Sequence, residues 1–175
     1  MHRARAHHST PERPPLRPAL QRRANALMNP QTHLAIDYVN TFNEIVMLIE
    51  HLPDMPELIH NIKAWEPSSY TDYFSHSPLP DCADVLRAFS KVDNRLRDDF
   101  EHIIAELSAL ADGSVKKVSH CATRPSECSK VCLTLICTQS TKNLRATLQR
   151  ARQLINPTAA NDERSEQERI DALFR

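Results

Sequence analysis

The chain has 175 residues, with 22 Lys and Arg balanced by 22 Asp and Glu, nine His, five Cys, twelve Pro and a single Gly. One glycine excludes glycine-rich phosphate loops and dinucleotide-binding fingerprints, because both need several residues that tolerate positive φ or let the backbone approach a phosphate. The same scarcity argues against the tight hairpins of an all-β fold. The length and a hydrophobic content of 41% suit one domain with tails.

No apolar run approaches the roughly 18 to 20 residues that a membrane-spanning helix needs, since the longest in the central region is 45–49. Residues 1–28 are rich in Arg and Pro and lack the apolar core of a secretory signal. We therefore expect a cytoplasmic protein with no membrane association, whose cysteines are thiols. The same composition predicts that residues 1–28 form a disordered basic extension.

A first helix is predicted to begin at Asn29-Pro30 and to run to Leu52. Asn is a favoured N-cap, and Pro at the first helical position loses no hydrogen bond. Pro53 then stops the helix. Apolar residues repeat at steps of three and four and form a seam typical of a helical bundle: Ala35, Tyr38, Phe42, Ile45, Ile49 and Leu52.

Shorter elements follow the first helix. Asp54 begins a capping-box pattern, which predicts a short helix that ends near Trp65. Residues 65–80 contain four aromatic residues and three prolines. We interpret them as a loop with at most one helical turn, at 70–74, that covers an open side of the bundle. A short helix over 81–89 is predicted next.

Two longer helices complete the pattern. Ser90, with an acidic residue three positions later, predicts a helix start, and the apolar seam that follows ends at Asp112-Gly113. Residues 114–126 are predicted to be a loop. Residues 131–138 fit either a strand or the first part of a helix. Because no other segment offers a strand partner, we favour a long third helix that ends at Asn156-Pro157.

These elements predict an all-α fold, an antiparallel helical bundle of about three long helices with short helices between them. The predicted organisation is a bundle over 29–156, a linker over 157–162 and a C-terminal amphipathic helix over 163–175. Ile170, Leu173 and Phe174 lie on one face of that last helix.

Several potential metal ligands lie within thirteen residues: His120, Cys121, Cys128 and Cys132. Tetrahedral zinc accepts these ligand types, and Cys128 and Cys132 share a face if the segment is helical. However, the spacing is not a paired Cys-x-x-Cys arrangement, and a cysteine is commonly a small buried hydrophobic residue. We therefore expect no metal and no other cofactor, and keep these four residues as candidates.

A basic stripe on the predicted third helix suggests nucleic acid as a ligand. Lys142, Arg145 and Arg152 lie on one face, and no acidic residue occurs over 128–161. A phosphate backbone would favour such a stripe. However, no aromatic residues interleave with the arginines to stack bases, and the helix around Leu96 is acidic. Charge matching between neighbouring helices is therefore the interpretation that we prefer.

The C-terminal segment resembles a known class of docking peptide. Its sequence is Ser165-Glu166-Gln167-Glu168-Arg169-Ile170-Asp171-Ala172-Leu173. This resembles the terminal peptides by which flagellar motor-switch proteins and the chemotaxis protein phosphatase family bind a phosphorylated response regulator. Those peptides combine Ser-Gln, acidic residues and Ile/Val-Asp-Ala/Asp-Leu-Leu. Here Arg169 replaces an expected acid, and Ser and Gln are not adjacent.

The resemblance covers about ten residues, and its motif is short. It implies that a protein partner, with a response regulator as one candidate, contacts the last helix through Ile170, Asp171, Leu173 and Phe174. A short amphipathic helix on a linker suits helix-in-groove binding. The alternative is that the apolar residues fold back onto the bundle.

The same family implies a candidate catalytic pair. Its phosphatases place an acid and an amide one turn apart on a helix, and the amide orients a water for attack on an aspartyl phosphate. Asp37 and Asn40 have i,i+3 spacing in the first predicted helix. The family's own Asp-x-x-x-Gln spacing is absent, and a solvated surface pair is the alternative.

We expect a non-enzymatic regulatory or adaptor protein that binds a protein partner through its C-terminal helix. One alternative is a response-regulator phosphatase of bacterial signalling that uses Asp37 and Asn40. Another is a small zinc- or nucleic-acid-binding protein. A homodimer is also open, because bundles and dimers bury the same kind of apolar face.

Overall fold

The computed structural model describes residues 28–78, 81–124 and 128–157. These ranges are mostly helical and contain no β-strand, which confirms the predicted all-α class. Within them, no helix is both long and apolar enough to cross a membrane. The helices are α1 (Ile36–Asn40), α2 (Phe42–His51), α3 (Ile59–Ala64), α4 (Tyr70–His76), α5 (Cys82–Phe89), α6 (Asn94–Ala122) and α7 (Lys130–Ile155), with a 3₁₀ turn (Pro56–Leu58) ahead of α3.

α6 and α7 form a long antiparallel hairpin. At about 1.5 Å per residue, the 29 residues of α6 extend about 43 Å and the 26 residues of α7 about 39 Å. Asp93 caps α6, because its side chain accepts the backbone N–H groups of Arg95 at 3.0 Å and Leu96 at 3.3 Å. The two helices make the most extensive contact in the described part of the chain.

Both long helices bury small side chains. Ala111 and Ser114 of α6 are buried, as are Ser140 and Thr147 of α7. Small side chains allow packed helices to approach closely where they lie at the contact. The ion pair between Arg150 and Glu106 joins the two helices and shows which of their turns lie side by side.

The basic side chains of α7 pair with neighbouring helices. Arg150 donates to both carboxylate oxygens of Glu106 on α6, each at 2.8 Å, and Arg145 donates to Glu50 of α2 at 2.6 Å. Arg152 donates to the side-chain carbonyl of Asn43 at 3.0 Å. Among the described contacts, Arg145 is the one stripe residue that meets a carboxylate, and that carboxylate lies on α2 rather than on the acidic helix around Leu96. Arg150, which does pair with α6, is not part of the stripe, so the contacts support charge matching at Arg145 alone.

The turn before α1 is joined to the end of α7. The Thr32 hydroxyl donates to the Ile155 carbonyl at 2.8 Å, and the Asn29 side-chain amide donates to the Asn156 side-chain carbonyl at 2.7 Å. The first and last described residues are therefore held at the same end of the hairpin.

An aromatic cluster packs the short helices against α6. The ring centroids of Tyr38 and Tyr70 are 5.3 Å apart, and those of Tyr70 and Phe100 are 5.5 Å apart. The Tyr70 hydroxyl accepts the buried Ala35 N–H at 3.1 Å, and the Tyr38 hydroxyl donates to the Ser68 carbonyl at 2.8 Å. Tyr70 and the neighbouring Phe74 are buried, so this aromatic segment packs into the core.

The predicted single helix from Asn29 to Leu52 is wrong at its start. Asn29 accepts the Thr32 N–H at 3.1 Å, as an N-cap would, but His33 adopts a φ of 58° and turns the chain out of the helical path. Helical structure begins only at Ile36, and α1 and α2 are separate helices. The apolar seam is confirmed, since all six predicted residues are buried: Ala35, Tyr38, Phe42, Ile45, Ile49 and Leu52.

The predicted bounds of the next long helix are also wrong. α6 begins after Asp93 rather than Ser90, and it continues through Gly113 to Ala122. The region 114–126 is therefore helical up to Ala122, not a loop. The buried seam continues beyond Gly113 with Ser114, Val118 and Cys121, and packing of that seam against α7 outweighs the cost of a glycine in a helix, about 1 kcal/mol.

The remaining predicted elements have mixed outcomes. Asp54 does not cap a helix but pairs with Lys130 at 3.2 Å. The expected single turn at 70–74 is a helix over Tyr70–His76. α7 confirms the helical interpretation of residues 131–138 and ends at Ile155, immediately before Asn156. The expected basic extension and C-terminal helix lie mainly or wholly outside the described residues.

We expect Gly113→Ala to stabilise the protein. Gly113 lies inside α6 without a positive φ, and a Cβ built there meets no atom within 4 Å. Ala should therefore raise the free energy of unfolding by about 0.5–1 kcal/mol, because it loses less backbone entropy on folding. Urea unfolding followed by circular dichroism measures the change. A lower free energy of unfolding would contradict a continuous helix through Gly113.

The stability should fall under alkaline conditions. Burial raises the pKa of Tyr38 and that of Tyr70 to about 12, and the pKa of Cys137 to about 11. These groups hold their protons more tightly when folded, so their stabilising contribution is complete below about pH 9 and is lost as the pH rises through the folded pKa values. The urea midpoint should be lower at pH 11 than at pH 8. Equal midpoints at the two pH values would contradict the assignment.

Candidate functional site: a cysteine cluster between the long helices

Three cysteines meet where α6 passes into α7. Cys121 lies in the last turn of α6, Cys128 in the connection and Cys132 in the first turn of α7. Their sulfur atoms all lie within 4.8 Å of one another. We call Cys121, Cys128 and Cys132 the cysteine cluster.

Helix ends fix the backbone on both sides of the cluster. The Ser129 hydroxyl accepts the Cys132 N–H at 3.3 Å and caps α7. At the end of α6, the Thr123 hydroxyl donates to the Ser119 carbonyl at 2.7 Å. The cluster therefore lies between two ordered helix ends rather than on a long loop.

Cys121 and Cys128 are joined by a disulfide bond, and their Cα atoms are 5.3 Å apart. The expectation that every cysteine is a thiol is therefore wrong for this pair. The continuation of α6 to Ala122 brings Cys121 next to the start of α7, which the predicted loop over 114–126 did not allow for. Cys132 is an exposed thiol, whereas Cys82 and Cys137 are buried.

A cavity of about 490 Å³ opens beside the cluster. Its lining includes the cationic side chains of Lys116, Lys117 and Arg124, together with His120 and the apolar Ile136. Among the described residues, no acidic side chain lines it. Positive charge of this kind favours anionic ligands.

The outer face of α7 beside the cluster is apolar. Val131 and Leu135 are 70% and 66% exposed, which makes them the most exposed large hydrophobic residues in the described ranges. Within α7, Val131 and Cys132 lie four and three positions before Leu135, which places the three side chains on one side of the helix, whereas Cys128 precedes α7. That pattern was present in the sequence, but it gave no sign that the face would point away from the core.

The structure brings three of the four predicted metal candidates together. Cys121, Cys128 and Cys132 form the cluster, and His120 is exposed and lines the same cavity. Histidine nitrogens and cysteine sulfurs are both suitable zinc ligands. The cationic lining residues were not predicted, because residues 114–126 were expected to be a loop.

The predicted acid and amide pair is on α1, but the two side chains have different neighbours. The Asn40 carbonyl accepts from Arg152 of α7 at 3.3 Å and from Asn43 at 3.4 Å. Asp37 lies near Tyr73 of α4, whose pKa is raised by burial and then by the negative charge of Asp37. Both residues lie on α1 with their i,i+3 spacing, but their side chains do not hydrogen-bond to each other.

A second, polar cavity of about 350 Å³ lies between α2 and α3. Glu44, Asn61, Trp65 and Glu66 are among the residues that line it. Its two carboxylates belong to no group of three potential metal ligands in the described ranges. The cysteine cluster is therefore the stronger candidate site.

The predicted partner-binding residues of the C-terminal peptide, Ile170, Asp171, Leu173 and Phe174, lie outside the described residues. Comparison of the chain with protein-family models, curated proteins and solved structures found no match.

Proposed function

We propose that this protein is a regulatory protein whose cysteine cluster responds to the thiol redox state. The observation that carries the proposal is the position of Cys132, whose sulfur lies within 4.8 Å of both sulfurs of the Cys121–Cys128 disulfide. Thiol–disulfide exchange begins with attack of a thiolate on a disulfide sulfur. A third cysteine at this position allows the disulfide to exchange among the three sulfurs.

The lining of the cavity is mainly apolar with cationic side chains among it, so the redox partner that we propose is a small thiol or disulfide that carries carboxylates. When glutathione disulfide oxidises Cys121 and Cys128, the protein gives up two electrons and two protons, one disulfide forms, and two molecules of glutathione leave. Glutathione carries carboxylates, and Lys116, Lys117 and Arg124 line the adjacent cavity. Their charge supports binding of such a reagent beside the cluster.

The disulfide restrains the end of the hairpin. It closes a loop with a sequence separation of 7 residues. A loop of this size restricts the unfolded chain by roughly 2–3 kcal/mol in the chain-entropy account. Reduction should loosen the junction of α6 and α7 and change how Val131 and Leu135 are presented to solvent. The proposed output is therefore a change at an exposed apolar face next to the cluster.

Reduction should lower the free energy of unfolding by roughly 2–3 kcal/mol. Hydrogen exchange should increase over 116–124 and 128–136, while the aromatic cluster around Tyr70 stays protected. Urea unfolding and hydrogen-exchange mass spectrometry with and without dithiothreitol measure these changes.

Two variants serve as controls for this response. Cys121→Ser should respond less than the unchanged protein, because the native disulfide is absent, whereas Cys137→Ala should respond as the unchanged protein does. If the reduced protein does not re-form the Cys121–Cys128 bond in glutathione disulfide, the proposed redox response is wrong.

We also propose that the C-terminal peptide binds a protein partner, which makes the protein an adaptor. The support is the apolar spacing of Ile170, Leu173 and Phe174 and the resemblance of the surrounding sequence to response-regulator-binding peptides. Asp171 lies between these apolar positions and matches the acid of the docking motif. The phosphatase alternative, with Asp37 and Asn40, requires the same docking step.

Deletion of residues 163–175 should weaken binding to a receiver domain held in its phosphorylated form with beryllofluoride. The apolar anchors are removed, so we expect the dissociation constant to rise at least about tenfold, or about 1.4 kcal/mol. Fluorescence anisotropy with a labelled receiver measures it. Leu173→Ala should weaken binding in the same direction, whereas Arg175→Ala serves as the matched control. Equal affinity of the full and shortened chains would refute the docking role.

A further inference from the structure

We propose that the reduced cysteine cluster binds Zn²⁺ through the thiolates of Cys121, Cys128 and Cys132, with His120 as the fourth ligand. This inference rests on the reduction step of the proposed redox function, because two of the three thiolates exist only after the Cys121–Cys128 disulfide is opened. The ligand is a borderline-soft divalent cation, for which cysteine and histidine are the usual protein ligands.

The positions of the three sulfurs suit a tetrahedral ion. At a Zn–S distance of about 2.3 Å, the sulfurs of a tetrahedral site are about 3.8 Å apart. The three sulfurs of the cluster lie within 4.8 Å of one another, and after reduction the bonded sulfurs of Cys121 and Cys128 must move apart to reach the tetrahedral spacing. Two of the ligands, Cys121 and Cys132, lie in the terminal turns of α6 and α7, so the two helix ends hold them on either side of Cys128.

The charges around the cluster suit the complex rather than the bare ion. Three thiolates and Zn²⁺ carry a net charge of −1, and Lys116, Lys117 and Arg124 line the adjoining cavity. These cations repel Zn²⁺ alone but stabilise the anionic thiolate complex. The same side chains would therefore support both states of the cluster, the disulfide with its anionic redox partner and the thiolate complex.

His120 is the residue that we assign to the fourth position. It lies next to Cys121 in the last turns of α6 and lines the same cavity as the three cysteines. Its ring nitrogens are not among the ligand atoms that lie within 4.8 Å of one another, so its side chain must turn toward the sulfurs to complete the site. A neutral imidazole adds no charge, so the complex keeps its net charge of −1. Four protein ligands would give a closed site of the structural type.

The chemistry balances without an unnamed reagent. A dithiol reductant such as dithiothreitol gives two electrons and two protons to the Cys121–Cys128 disulfide and is itself oxidised to a disulfide. Binding of Zn²⁺ then displaces the three thiol protons to the buffer. Glutathione disulfide then oxidises Cys121 and Cys128 and is reduced to two molecules of glutathione, which take up two protons from the buffer. Cys132 takes up a third proton, and the ion is released.

The test is a Zn²⁺ titration of the full chain without an affinity tag. The protein is reduced with dithiothreitol under anaerobic conditions, the reductant is removed, and Zn²⁺ is added in competition with a chromophoric chelator. We expect one tight site per chain in the reduced protein and none in the oxidised protein. Substitution of Co²⁺ should give thiolate-to-cobalt charge-transfer absorption and the intense visible bands of a tetrahedral ion.

Matched variants identify the ligands. Cys132→Ser should lower the affinity at least about tenfold, and His120→Ala should lower it by a smaller factor, whereas Cys137→Ala should bind as the unchanged protein does. If Cys132→Ser does not fold, alkylation of the unchanged protein answers the same question. Zn²⁺ should then protect Cys121, Cys128 and Cys132 from iodoacetamide in peptide maps.

The outcomes separate this inference from the proposed function. If the reduced protein does not bind Zn²⁺, or if the oxidised protein binds it equally well, the zinc site is refuted. In that case reversible formation of the Cys121–Cys128 bond in glutathione buffers would still support the redox function. Unchanged affinity in His120→Ala would refute the assignment of the fourth ligand.

Discussion

Close packing of α6 against α7 is the constraint on which the candidate site depends. The two helices make the most extensive contact in the described part of the chain, and Ala111, Ser114 and Ser140 are among their buried small residues. This contact fixes the relative positions of the two helix ends. Cys121 therefore lies beside Cys132, although eleven positions separate them in the chain.

The sequence predicted the core better than the ends of the helices. Apolar spacing identified the seam from Ala35 to Leu52, since every predicted position is buried. Local signals failed where tertiary contacts outweighed them. Gly113 is a common helix terminator, yet packing of the seam beyond it extends α6, and the Asn29 cap is followed by a left-handed residue rather than by a helix.

The candidate site was predictable in its ligands but not in its surroundings. Cysteines close in sequence indicated a cluster, and the structure brings three of them together. The cationic side chains beside the cluster were not predicted, because residues 114–126 were expected to be a loop. Lys116 is four positions before His120, and Lys117 is four positions before Cys121. Because this part of α6 is helical, the two residues of each pair lie close together on the helix surface. The disulfide likewise depends on that continuation.

The hydrogen bonds from Thr32 to Ile155 and from Asn29 to Asn156 determine where the terminal segments attach. Residues 28 and 157, the outermost described positions, therefore lie at one end of the hairpin, and the sulfur atoms lie at the other end, a helix length of about 39 Å away. A reagent that reaches the sulfur atoms approaches the end of the hairpin that is remote from both of these positions.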